Sequence, residues 1–144
     1  HKFFPKYFYF IDKLNIEAIK NLNKKFAVIY RNYDQKPNIA EIIRFKEFCR
    51  KKQIKFLISN YFDIAIKHKL DGFYTPSFNK RFFLKINNFS NKFILAGSAH
   101  NRKEIKIKEK QNVDLIFLSP IFKTEKRNNY LGIIKFNNLS NFSK

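Results

Sequence analysis

The chain has 144 residues, with 30 Lys and Arg against 11 Asp and Glu and a formal charge of +19 at neutral pH. That length fits one domain with a real core, and no run approaches the ~20 uncharged apolar residues of a membrane-spanning helix. The lone cysteine, Cys49, excludes a disulfide framework and a cysteine-based metal site.

A reducing cytoplasm fits that cysteine usage, and the opening HKFFPKYFYF reads as too charged and too short for a secretory signal. The basic excess favours general adhesion to polyanions. The lysines are spread through every segment, with no tail, stripe or nucleic-acid motif, so no dedicated nucleic-acid function is read from them. Lys, Asn, Ile and Phe are abundant together, as an A/T-rich coding sequence would produce.

Six short apolar runs follow one another: YFYFI (7–11), FAVIY (26–30), KFLIS (55–59), GFYT (72–75), FILAG (93–97) and DLIFLS (114–119). Each is too short for a core helix and rich in Ile, Phe, Tyr or Val, so each predicts a strand buried on both faces. Helical spacing lies between them. Ile16, Ile19 and Leu22 share one face. Ile39, Ile42, Ile43 and Cys49 share another, opened by Asn38 as cap with Glu41 three residues on. Shorter helices are expected over Phe62–Lys69 and Arg81–Ile86, and Asn101 with Glu104 repeats the capping pattern before Ile105. Strand and helix alternate six times, which predicts right-handed βαβ units and a parallel sheet. Two α/β architectures satisfy this: a doubly wound sheet, or a (βα) barrel with only about six of its eight units.

In either, chemistry gathers at the carboxyl ends of the strands. Those ends carry Arg31, then Ser59 and Asn60, then Tyr74 and Thr75, then Ser98, Ala99 and His100, then Ser119 with Lys123, Thr124 and Lys126 beyond. Hydroxyls, amides, one imidazole and several cations converge while carboxylates are nearly absent. That balance suits a phosphorylated ligand, gripped by guanidinium, hydroxyls and helix N-terminal amides. Ser98 and His100, two apart, point the same way if the strand continues. Gly97 and Ala99 would let a ligand approach the backbone closely. Each residue also has a plain reading: Arg31 as a solvated strand end, Ser59-Asn60 as a helix cap, His100 as a loop histidine, Thr124 and Lys126 as routine loop residues.

In their order these pieces resemble the thiamine phosphate synthase/TenI family of (βα)8 TIM barrels. YFYFID (7–12) stands where that family has an "LYLITD"-like strand, and AVIYRNYD (27–34) resembles its "QLREK" strand. FLISNYFDIAIKHKLDGFY (56–74) resembles "LINDRVDLALALGADGVH", with Asp63-Ile64-Ala65 and Leu70-Asp71-Gly72 in register together. AGSAHNRKEI (96–105) resembles "GVSAHNLEEA", and VDLIFLSPIFKTEK (113–126) resembles "ADYIGLGPIFPTxTK". The similarity runs on to LGIIKF (131–136). It implies one barrel domain over residues 1–144 that lacks the family's last two strands, and so a piece of a longer product.

The resemblance implies a transferase of thiamine biosynthesis. It would join hydroxymethylpyrimidine pyrophosphate to thiazole phosphate, giving thiamine phosphate and pyrophosphate. Arg31 matches the family's pyrophosphate-binding arginine, Ser98 the serine beside the reacting groups and Thr124 the threonine on the thiazole phosphate; Lys126 is the nearest basic match at the end of that loop. Mg2+ is expected from the family. Here Ser59-Asn60 replaces the family's Asn-Asp pair and Asn79 stands at the second carboxylate, so amides occupy both metal positions; Tyr33 replaces a lysine. Amides bind this hard cation less well than carboxylates. A TenI-like thiazole tautomerase, with His100 moving the proton, is the alternative, and a non-catalytic phosphate-ligand barrel the third reading. The partners implied are the two small molecules, with no membrane, and self-association is left open.

Overall fold

A computed structural model describes residues 3–83, 91–125 and 128–142. The chain divides into two compact units, His1–Tyr74 with Asn87–Ile94, and Thr75–Ile86 with Leu95–Lys144.

In the first unit, β1 (Tyr7–Ile11), β2 (Phe26–Tyr30), β3 (Lys55–Ser59) and β4 (Gly72–Thr75) pair in parallel and in chain order. The register is set by pairs such as Phe10↔Ile29, Ile29↔Leu57 and Leu57↔Gly72. Chain order without a reversal is barrel-type topology; a doubly wound sheet has a switch point where the order turns back. β2 joins β3 through α1 (Ile39–Lys51), whose cap is the expected one: the Asn38 side chain accepts from the Glu41 N–H. α1 buries Ile42, Phe45 and Cys49, and Phe45 packs on Phe56 of β3 at 4.9 Å between ring centroids. α2 (Phe62–Lys67) joins β3 to β4, and Phe62 meets Phe73 edge to face at 5.2 Å. The segment after β1 forms only a 3-10 turn, Ile16–Ile19.

The second unit pairs β5 (Ile94–Ala99) with β6 (Leu115–Leu118) in parallel, through α3 (Arg102–Lys110). Ala99, Ile105 and Leu139 form its buried cluster, joined by Ile116, Leu118, Leu131 and Phe142. Leu139 comes from α4 (Gly132–Ser140).

Three expectations are corrected. β2, β3, β4 and β5 are buried nearly throughout, but β1 alternates, with Tyr7 and Tyr9 exposed, and β6 is half-buried along its length. The tyrosines of β1 keep their hydroxyls in water while Ile11 turns inward. Arg81–Phe83 are not helical, because the Asn79 side chain takes the Arg81 N–H and makes a local turn instead; residues 84–86 of that predicted helix lie outside the described residues. α2 ends two residues early, since Lys69 adopts φ 50°, which breaks the helix.

Candidate functional site

The most motif-like residues of the sequence turn out to be framework. The Asp71 carboxylate accepts the Phe56 N–H at 2.9 Å and pairs with Lys55 at 2.9 Å. Its backbone N–H donates to the Phe56 carbonyl at 3.0 Å, and its carbonyl accepts the Ile94 N–H at 2.9 Å. Asp114 repeats the device: its carboxylate accepts the Leu95 N–H at 2.8 Å and its own N–H donates to the Leu95 carbonyl at 2.7 Å. An aspartate just before a strand thus satisfies the donor of the second residue of the preceding strand, a charge-assisted bond that helps fix where the two begin. Gly72 follows for steric reasons, since a Cβ there would meet the Ile94 carbonyl.

At the carboxyl end of the first unit's strands, Arg31 follows β2 directly. Its N–H donates to the Ile11 carbonyl at 2.8 Å, and its guanidinium carbon lies 4.9 Å from the Phe10 ring centroid. It forms no ion pair with a described residue, so its charge is available to an anion. Tyr74 meets Phe10 edge to face at 5.3 Å. Burial raises the Tyr33 pKa above its ordinary value, partly offset by the nearby Ser59 hydroxyl, so Tyr33 stays a neutral phenol at neutral pH. Ser59 Oγ is buried at the end of β3, beside the Tyr33 phenol. Asn60 is exposed at φ 65° and turns the chain out of β3. Neither residue caps α2, whose N-cap Tyr61 makes no side-chain bond.

In the second unit, Ala99 packs toward α3, so the alternation of β5 turns Ser98 to the opposite face, where it is 6 % exposed. Asn101 caps α3 as expected, accepting the Glu104 N–H at 3.0 Å, and Glu104 reaches back to the His100 N–H at 2.6 Å. The His100 ring is fixed as well, for Nδ1 bonds to the Ser119 carbonyl. A carbonyl only accepts, so the geometry assigns the hydrogen to Nδ1 and leaves Nε2 as the ring atom able to take up a proton. His100, Ser119, Tyr130, Leu131 and Lys135 help line a cavity of about 550 Å³, of a size for a small phosphorylated heterocycle. Thr124 lies in the exposed loop after β6, and Lys126 lies outside the described residues.

Gly97 does not face an approaching ligand. A Cβ there would sit 3.0 Å from Lys108 Cδ and 3.1 Å from the Thr75 carbonyl oxygen. Lys108 is the residue that sequence reasoning missed. It is wholly buried on α3, and burial lowers its pKa to about 8. Its place three residues after Ile105 puts it on the inner face, but helical patterns assign lysine to solvent.

The two amides that the family resemblance sets at metal positions do not fit Mg2+. Asn60 and Asn79 supply neutral amides, and Asn79 Oδ1 already takes the Arg81 N–H at 2.9 Å. No group of three or more His, Cys, Asp or Glu that could hold a metal exists among the described residues.

Parallel βα units whose strands pair in chain order define the (βα)-barrel class, in which functional groups sit at the strand carboxyl ends. The sequence profile of the thiamine monophosphate synthase family matches residues 14–144. The chain belongs to that family. It is 39% identical over 81 residues to "Putative thiamine-phosphate synthase 2" of Aquifex aeolicus (strain VF5), covering 55% of this chain and 42% of that protein. It is 26% identical over 121 residues to thiamine-phosphate synthase of Prochlorococcus marinus subsp. pastoris, covering 83% of this chain and 33% of that one. The matches thus span less than half the length of these relatives. Thiamine phosphate pyrophosphorylase from Pyrococcus furiosus superposes with a TM-score of 0.70 at 16% identity, over 96% of this chain and 70% of that one. That likeness shows the fold, and it decides the sequence's two α/β readings in favour of the TIM-barrel family. Among the described residues no helix is long and apolar enough to cross a membrane.

Proposed function

We propose that this chain carries out the coupling step of thiamine phosphate synthesis. In that reaction the bond between the pyrimidine methylene carbon and pyrophosphate breaks, and the leaving group departs with the electron pair. The ring nitrogen of the thiazole phosphate then forms the new carbon–nitrogen bond. The observation that carries the reading is Arg31: a guanidinium at the end of β2, over the Phe10 ring and without a carboxylate partner among the described residues. Such a group binds pyrophosphate and stabilises the charge that develops on it. Ser98 lies beside the reacting groups, Thr124 and Lys126 hold the thiazole phosphate, and the buried Ser59 hydroxyl with Asn60 completes the anion's surroundings. No step is routed through Mg2+. The protein works in the cytoplasm on these two small molecules.

A second reading rests on His100. Its Nδ1–H bond to Ser119 and its place on the 550 Å³ cavity suit Nε2 for proton transfer in a thiazole tautomerase.

The test is an assay of the purified protein with pyrimidine pyrophosphate and thiazole phosphate, in Mg2+ and in EDTA. Thiamine phosphate formation supports the coupling reaction, with Arg31→Ala lowering kcat/KM by about 10²-fold or more. No product in either condition refutes it and favours the tautomerase. His100→Ala is then expected to abolish tautomerisation, whereas in a synthase it lowers coupling by less than about tenfold.

A further inference from the structure

The loop after β4 is held by a buried cation. Lys108 Nζ donates to Thr75 Oγ1 at 3.1 Å, the Pro76 carbonyl at 2.7 Å, the Asn79 carbonyl at 2.9 Å and Gln111 Oε1 at 2.9 Å. Gln111 adds its own bonds, Nε2 reaching the Asn79 carbonyl at 3.0 Å and the Arg81 carbonyl at 2.8 Å. Both side chains are almost wholly inaccessible, at 0% and 2% exposure. An ammonium has three donors and here faces four oxygens, so it is saturated and has nothing left for a ligand. None of the four is a carboxylate. Glu104, on the same helix, acts on Lys108 only through its field, its Oε2 being engaged by the His100 N–H. The loop's own charged residues, Lys80 and Arg81, are exposed.

Burying an ammonium among neutral dipoles is costly, and an apolar side chain of similar volume would often be more stable. What the charge secures is local: the carbonyls of Pro76, Asn79 and Arg81 converge on one side-chain pair, Lys108 in the last turn of α3 and Gln111 at its C-cap. The backbone makes room for it, since Gly97 lacks the Cβ that would crowd Lys108 Cδ.

We propose that Lys108 and Gln111 are positioning residues that clasp the loop 76–81 at the carboxyl end of β4. The internal ammonium orders the segment that holds Asn79, so this loop takes its shape without a divalent cation. The Asn79 side chain is turned to the Arg81 N–H and its carbonyl to Lys108 and Gln111, the opposite of a residue waiting for a metal.

Hydrogen exchange at the Asn79 and Arg81 amides reads the clasp directly, because these N–H groups donate to Pro76 O and Asn79 Oδ1. In Lys108→Met, which keeps length and apolar stem, both are expected to exchange at least about tenfold faster while the amides of β1–β3 keep their rates. Unchanged loop exchange in folded Lys108→Met overturns the clasp. If that variant fails to fold, Gln111→Leu removes two loop bonds and keeps the ammonium; faster exchange there supports the clasp and unchanged exchange overturns it. Wild-type exchange at these two amides is expected to be the same in EDTA and in Mg2+; loop exchange that slows only when Mg2+ is added overturns the ammonium's substitution for a dication.

Discussion

Gly72→Ala tests the close approach that begins β4. Its φ needs no glycine, so the substitution acts through space alone. The new methyl would lie 3.0 Å from the Ile94 carbonyl carbon and 3.0 Å from Leu57 Cγ, and closer still to the Ile94 oxygen. Carbon pairs settle at about 3.5–4.0 Å, so the backbone before β5 or the start of β4 must shift by several tenths of an ångström or more. Backbone cannot rotate away as a side-chain tip does, and the shift also strains the Asp71 carbonyl bond to the Ile94 N–H, 2.9 Å long. Overpacking of this kind costs roughly 1–3 kcal/mol, occasionally more, against a gain of only about 0.4–1 kcal/mol from removing a glycine from the unfolded chain. The net expectation is a loss of about 2 kcal/mol, or roughly 4–8 °C in Tm for a chain of this size. Urea and thermal unfolding followed by circular dichroism measure it. Gly132→Ala is the control of opposite kind: φ is +72° with nothing within 4 Å of a Cβ, so its cost of about 1 kcal/mol is conformational. A Gly72→Ala protein within about 0.5 kcal/mol of wild type would show that the approach to Ile94 does not constrain the fold.

The two asparagine caps offer a matched pair: Asn38→Ala and Asn101→Ala each remove one side-chain acceptor at a helix start and are expected to cost about 1 kcal/mol by urea unfolding. Asn101→Ala should also disturb the Glu104–His100 contact, seen as a shifted His100 backbone amide resonance by NMR. Cys49 is buried against the core, which pushes its thiol up to about 12. It should therefore ignore a thiol reagent at pH 8 in the folded protein and react only at the rate of unfolding. Lys108 gives a pH dependence. Its folded pKa of about 8 lies below the ordinary lysine value of 10.5, so between these pH values the unfolded chain keeps a proton that the folded chain has lost. Its contribution to stability then rises with pH across that window, by at most about 1.4 kcal/mol per pH unit, and the rise is absent in Lys108→Met. Denaturant midpoints from pH 7 to 10.5 test it; identical profiles for the two proteins would refute the assignment.

The sequence by itself determined the strands, the two asparagine caps and the family, because each is written in local chemistry, while the order of the strands in the sheet came only from their pairing. Five-residue Ile/Phe/Tyr/Val runs have few alternatives to buried strands, and an Asn with Glu three residues later satisfies its own helix start. Arg31, Ser59, Asn60, Ser98 and His100 were placed near strand ends by counting alone. Only the tertiary structure decided what Asp71, Asp114, Gly72 and Gly97 do. Asp71 and Gly72 carry part of the family resemblance, yet their partners, Phe56 and Ile94, lie 15 and 22 positions away and make them joints between strands. The same holds for Lys108. Its neighbours in sequence mark it as a solvent-facing charge, and its ring of acceptors is assembled by a loop some 30 residues earlier. Burial of a polar group is decided by long-range partners that satisfy it, and no local pattern carries that information.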